Sequence, residues 1–209
     1  MNDLLIQQPQ AAKGPAASLF LLFHGVGAQA RDLQAVGERL ADWHPDSWVV
    51  SVQAPHPSDL GGGWQWFSVR GVTPHNRPER VAEAMPGFIQ AVKGWQAQAQ
   101  VSAAHTTLLG FSQGAIMSLA ATQLDPAIAG RVVAIAGRFP AAPQHAPGGT
   151  RIHLLHGQAD QVVPTSESVD AHAQLQALGA DVTLDLIPGL GHGIDARTMA
   201  CLHERLLAR

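Results

Sequence analysis

Cysteine is nearly absent: Cys201 is the only one in 209 residues. An internal disulfide is therefore excluded, as is a thiolate cluster for zinc or for iron and sulfur, and a reducing compartment is permitted. Charge is scarce as well, with 14% Asp, Glu, Lys and Arg and a formal net charge of −3. Such a chain has no basic field to gather phosphates, so nucleic acid is not an expected partner and a small, roughly neutral substrate is. Long apolar runs are missing too. No segment supplies the roughly 18 uninterrupted apolar residues of a membrane-spanning helix, so stable membrane insertion is not expected. The start, Met1-Asn2-Asp3-Leu4, carries an acid where a secretory leader is positive, and the apolar run 16–23 stops at His24. A cytoplasmic location is expected.

What is present is enough for one substantial core. At 46% hydrophobic residues, a chain of this size needs no metal or crosslink to hold it, and a single domain over 1–209 is expected. Short β-rich apolar runs at 18–24, 47–53, 106–110, 131–136, 151–156 and 182–187 alternate with segments of helical period, and 4–7 adds a candidate edge strand. That alternation predicts an α/β fold: a mostly parallel central sheet of about six or seven strands with helices on both faces and no separate lid. Helical stripes run through Leu33, Val36 and Leu40, through Val81, Ala84, Phe88, Val92 and Trp95, through Ala171, Leu175 and Leu178, and through Met199, Leu202 and Leu206. Pro86-Gly87 is expected to kink the second, and Pro164-Thr165 to cap the third. The Gly-, Pro- and Trp-rich stretch 54–77 and the Ala-, Pro- and Gly-rich stretch 139–150 read as surface loops, the first long enough to wall a binding site.

Gly110-Phe111-Ser112-Gln113-Gly114 fits G-x-S-x-G, with a strand before it and a helix after it. In that context the pattern is a nucleophile elbow, a turn so tight that side chains at the two glycine positions would strike backbone. A serine hydroxyl is a weak nucleophile at neutral pH and needs a histidine base with a carboxylate behind it, here in the chain order Ser, acid, His. Among the acids after Ser112, Asp160 sits in a loop just past a predicted parallel strand, the edge where such sheets gather their sites. His192 follows the last strand in Pro188-Gly189-Leu190-Gly191-His192-Gly193. Ser112, Asp160 and His192 are the expected catalytic residues. Two N–H donors for a developing oxyanion are expected from Gln113, at a helix start, and from Val26, in the turn after the strand 18–24; His24 beside it is given a structural part. Trp64, Trp66 and Phe67 are expected to form an apolar wall.

Eleven histidines do not make a metal site. His153 and His156 leave a strand on opposite faces, and no helical pair stands beside a third ligand. No metal and no cofactor are expected, and Cys201 reads as a small apolar filler.

Taken together, 22–28 (Leu-Phe-His-Gly-Val-Gly-Ala), 64–68 (Trp-Gln-Trp-Phe-Ser), 110–115 (Gly-Phe-Ser-Gln-Gly-Ala), 156–164 (His-Gly-Gln-Ala-Asp-Gln-Val-Val-Pro) and 189–192 (Gly-Leu-Gly-His) resemble the phospholipase/carboxylesterase family of small α/β-hydrolases. This family includes the acyl-protein thioesterases, and the likeness is greatest to its bacterial serine esterase branch. The resemblance implies a Ser112–Asp160–His192 triad, oxyanion donors at Val26 and Gln113, and an acyl ester as substrate. Val163 and Leu190, within these motifs, and Phe139, in Gly137-Arg138-Phe139-Pro140, join Trp64, Trp66 and Phe67 as expected substrate-binding residues. Members more often carry leucine at the position of Val26, and those acting on long acyl chains carry a smaller pair where this chain has Arg138-Phe139. Short to medium acyl esters are therefore expected, and a homodimer is possible. A thioesterase or lysophospholipase using the same residues, and a non-catalytic module on the same fold, stay open as alternatives.

Overall fold

Every side chain along 19–23 is buried, yet successive residues go to different places: Leu19, Leu21 and Phe23 join one apolar cluster, Phe20 and Leu22 another. A strand does this when both faces of its sheet are covered, because its side chains alternate with a period of two. Val132 and Ala134 against Val133 and Ile135 repeat the pattern, as do Ile152 and Leu154 against Leu155.

The computed structural model describes residues 2–9 and 16–207, so Met1 and the ends of the expected 1–209 domain lie outside the described residues. In order, the elements are β1 (Leu4–Gln7), β2 (Leu19–Phe23), α1 (Gln34–Trp43), β3 (Trp48–Val52), β4 (His56–Pro57), β5 (Trp64–Gln65), α2 (Arg77–Ala99), β6 (Thr106–Phe111), α3 (Gln113–Ala121), β7 (Arg131–Ile135), β8 (Arg151–Gly157), α4 (Ser166–Ala177), β9 (Val182–Ile187) and α5 (Ala196–Leu207). The main sheet has seven strands in the order β1-β3-β2-β6-β7-β8-β9. Only β1 runs antiparallel, against β3; the remaining neighbours are parallel. Core residues of α2, α3 and α4 share one cluster and those of α1 and α5 the other, so helices cover both faces. Each fully buried Leu, Val, Ile or Phe in these layers contributes about 1.5–3 kcal/mol.

α2 runs from Arg77 to Ala99 with Pro86 inside it, its Val81, Phe88 and Val92 packing onto the sheet. Two local expectations need correction. Thr165 occupies the N-cap of α4 but makes no capping bond; its hydroxyl instead donates to the Gly157 carbonyl at 2.8 Å. The stretch 54–77 is not a plain surface loop. It contains the antiparallel pair β4–β5, and Trp66 and Phe67 sink into the core, where Trp66 meets Phe23 and Phe88 edge-on. No helix among the described residues is long and apolar enough to cross a membrane.

Candidate active site

Three loops leave the carboxyl ends of β6, β8 and β9, the edge at which open α/β sheets place their ligands. After β6 the chain turns at Ser112 with φ 52° and ψ −114°, a left-handed conformation for a residue with a side chain. Such a pose costs on the order of 1–3 kcal/mol, and its surroundings must hold it. The Ser112 N–H donates to Ile135 O of β7 at 3.0 Å, and Ile116 N–H reaches back to Ser112 O at 3.1 Å. The flanking glycines have no room to spare. A Cβ on Gly110 would lie 2.5 Å from Ala115 Cα, and one on Gly114 would strike the Phe23 carbonyl. The turn can therefore be made only by glycine at both places.

The Ser112 hydroxyl donates to His192 Nε2 at 3.0 Å, and His192 Nδ1–H donates to Asp160 Oδ2 at 2.7 Å. The three expected catalytic side chains therefore meet as one relay. The loops that carry Asp160 and His192 are sewn together by backbone: Gln158 N–H to Ile187 O at 3.0 Å and Ala159 N–H to Leu190 O at 2.8 Å. Gly157 permits this approach, since a Cβ there would lie 2.5 Å from Gly191 O. Leu190 thus acts here through its carbonyl.

Asp160 is fixed from three further directions. Its Oδ1 accepts the N–H of Val162 at 2.8 Å and of Val163 at 2.9 Å. His156 Nε2 lies 3.2 Å from Oδ2 and 2.9 Å from the Val163 carbonyl. Both of those oxygens only accept, so Nε2 carries the proton and Nδ1, 2.7 Å from Ser168 Oγ, accepts the serine hydroxyl. Burial works against the Asp160 charge, but the hydrogen bonds from His192, Val163 and Val162 outweigh it and hold the carboxyl below the ordinary aspartate range. His156 is a functional neighbour that pattern reading passed over. Its signal was its place four residues before Asp160 in a strand-to-loop turn.

Of the two expected oxyanion donors, Gln113 directly follows Ser112, and Val26 follows Gly25, where a Cβ would lie 3.2 Å from Ser112 Cβ. Gln113 opens α3, so its N–H precedes the first intrahelical bond. Val26 N–H has no hydrogen-bond partner among the described residues. The Val26 turn is held by Gly27 N–H to Trp64 O at 2.9 Å and Trp64 N–H to Ala28 O at 2.8 Å. His24 supports it from below: Nδ1–H donates to Gly25 O at 2.7 Å, and Nε2 accepts Ala54 N–H at 3.1 Å. Burial pushes the His24 pKa down, which keeps the ring neutral for these roles. The Gln113 side chain accepts Trp66 N–H and donates to Phe67 O, both at 2.8 Å, and so ties 64–68 to the elbow.

A cavity of about 530 Å³ opens against the ring of His192. None of the six expected substrate-binding residues lines it. Trp64 and Trp66 face a separate space beside Phe88, Val163 uses its backbone to hold Asp160, and Phe139 is 8% exposed within the core. Arg138 is drawn away to Glu167 at 2.7 Å. Among the described residues no group of three or more His, Cys, Asp or Glu side chains could hold a metal ion. Cys201 packs against the α1–α5 cluster, where burial raises its thiol pKa.

A seven-stranded, mostly parallel sheet with its candidate site on the loops after β6, β8 and β9 is the α/β-hydrolase fold. Residues 5–208 match the Phospholipase/Carboxylesterase family, and the chain belongs to it. It is 46% identical over 198 residues to Esterase YpfH of Escherichia coli (strain K12), covering 95% of this chain and 84% of that one. The crystal structure of esterase PE8 superimposes with a TM-score of 0.86 at 32% identity, covering 95% of both chains. A carboxylesterase from Mesorhizobium loti shares the fold at 20% identity, with a TM-score of 0.80 over the full length of both chains.

Proposed function

We propose that this chain is a serine carboxylesterase that hydrolyses short to medium acyl esters through an acyl-enzyme. The observation that carries the reading is the unbroken relay from Ser112 Oγ to His192 Nε2 at 3.0 Å and from His192 Nδ1 to Asp160 at 2.7 Å. Ser112 attacks the ester carbonyl while His192 takes its proton, and Asp160 stabilises the resulting imidazolium. The negative charge on the former carbonyl oxygen falls to the N–H groups of Val26 and Gln113, a contribution of about 3–4 kcal/mol per donor in related chemistry. His192 then protonates the departing alcohol, a water repeats the attack, and the acid leaves with Ser112 restored. The name and identity of the E. coli relative support the ester as substrate.

p-Nitrophenyl acetate and butyrate test the reading. The wild-type protein should turn both over, and Ser112→Ala should lose at least about 10³-fold in kcat. Equal turnover by the two proteins would end the assignment.

A further inference from the structure

The cavity beside His192 lies between the segment 24–39 and the segment 192–199, on the α1–α5 side of the sheet. Its inner wall is Gly25, Phe111 and His192, and the apolar body is made by Ala28, Leu33, Val36, Ile194 and Met199. It opens beside the nucleophile, since a Cβ on Gly25 would lie 3.2 Å from Ser112 Cβ. At the exposed outer rim stand Asp32 and Arg39, one charge of each sign. Arg39 lies 3.8 Å from Asp42, and Asp32 accepts the Gln29 N–H at 3.0 Å, so the rim carries charges of both signs over walls that are apolar.

We infer that this cavity is the leaving-group subsite and that it takes the apolar, uncharged alcohol of the ester. The inference rests on the acyl-enzyme reading above and adds a direction to it. In the tetrahedral intermediate the former carbonyl oxygen points to the N–H groups of Val26 and Gln113. The oxygen that departs must face His192 Nε2, because that nitrogen returns the proton taken from Ser112 as the C–O bond breaks. The alcohol carbon chain therefore extends along the His192 ring, and the cavity walled by that ring is where it goes. A volume of about 530 Å³ lies within the roughly 300–1,000 Å³ of small-molecule sites. The acyl chain leaves the tetrahedral carbon by the remaining direction, away from these walls.

Kinetics separates the two halves of the substrate. All esters of one acid share the same acyl-enzyme and hence the same deacylation, so the alcohol acts through acylation, which kcat/KM reports. Methyl, butyl and hexyl butyrate vary the alcohol; p-nitrophenyl acetate, butyrate and hexanoate vary the acyl group. Wild-type protein should prefer hexyl over methyl butyrate by about tenfold or more in kcat/KM, the scale on which apolar pockets discriminate. In Ala35→Trp, an exposed position on the cavity rim, that preference should collapse towards unity while the hexanoate-to-acetate ratio stays within about twofold. Met199→Ala, which enlarges the same space, should shift the preference towards longer alcohols, and it guards against a folding defect in the first variant. If the acyl ratio moves and the alcohol ratio does not, the cavity holds the acyl chain and the inference is overturned. If both ratios stay fixed in active, folded variants, the cavity holds neither part and the inference again fails while the esterase reading stands. A folded wild-type protein that cleaves none of these esters overturns the esterase reading, and the subsite with it.

Discussion

Acidification should unfold this protein through one histidine more than any other. His153 leaves β8 on the face opposite His156; it is 1% exposed, and its Nδ1 lies 2.8 Å from the Thr183 hydroxyl. Its Nε2 is buried without a hydrogen-bond partner among the described residues. Burial, reinforced by the nearby charges of Arg131, Arg151 and Arg205 and opposed by Asp181, pushes its pKa down from 6.5 to about 4. In the unfolded chain the same ring titrates near its ordinary value of about 6.5. Between those two values the unfolded state binds more protons than the folded state, so stability falls as the pH drops. The loss begins as pH falls through about 6.5 and is complete near pH 4. At about 1.4 kcal/mol for each pH unit the gap amounts to about 3 kcal/mol, a large share of a typical 5–15 kcal/mol stability. Urea unfolding from about pH 7.5 to about pH 4.5 measures it directly. His153→Asn offers Thr183 a polar partner and cannot titrate in this window, so its stability should decline about 2–3 kcal/mol less over the range. It should not become flat, because burial also lowers the pKa values of His24 and His44. Parallel curves for wild type and variant would show that the buried neutral ring is not the source.

Two further perturbations test the site's construction. Gly114→Ala places a Cβ against the Phe23 carbonyl and should cost about 3 kcal/mol of stability, read as a lowered urea midpoint together with loss of esterase turnover. His156→Leu removes the N–H beside Asp160 Oδ2 and should lower kcat about 10- to 100-fold with little change in KM. His156→Gln, which can still donate, should recover much of the loss, whereas equal activity in both variants would mean that His156 does not position the carboxylate.

The amino-acid sequence determines this fold through signals that act over a few residues. Two-residue alternation at 19–23 and 132–135 separates the two faces of the sheet without reference to any distant partner. At the elbow the demand for glycine at 110 is equally local, set by collision with the next turn of chain, whereas the demand at 114 comes from β2 through the Phe23 carbonyl. Chain order and the sheet's carboxyl edge then narrow the acid to Asp160 and the base to His192. The tertiary structure alone decides which apolar side chains go to the core and which to a cavity. Trp66 and Phe67 have the composition of a binding wall, but packing of Trp66 against Phe23 and Phe88 and the clamp of the Gln113 side chain bury them away from the cavity beside His192. Ala28, Val36, Ile194 and Met199 look like ordinary core residues in one dimension. They line open space because the turn after β2 and the loop after β9 stand apart at that edge, a distance set by packing across the whole sheet. The second partner of His156 is decided in the same way: its Nδ1 meets Ser168 Oγ only once β8 and α4 have come together.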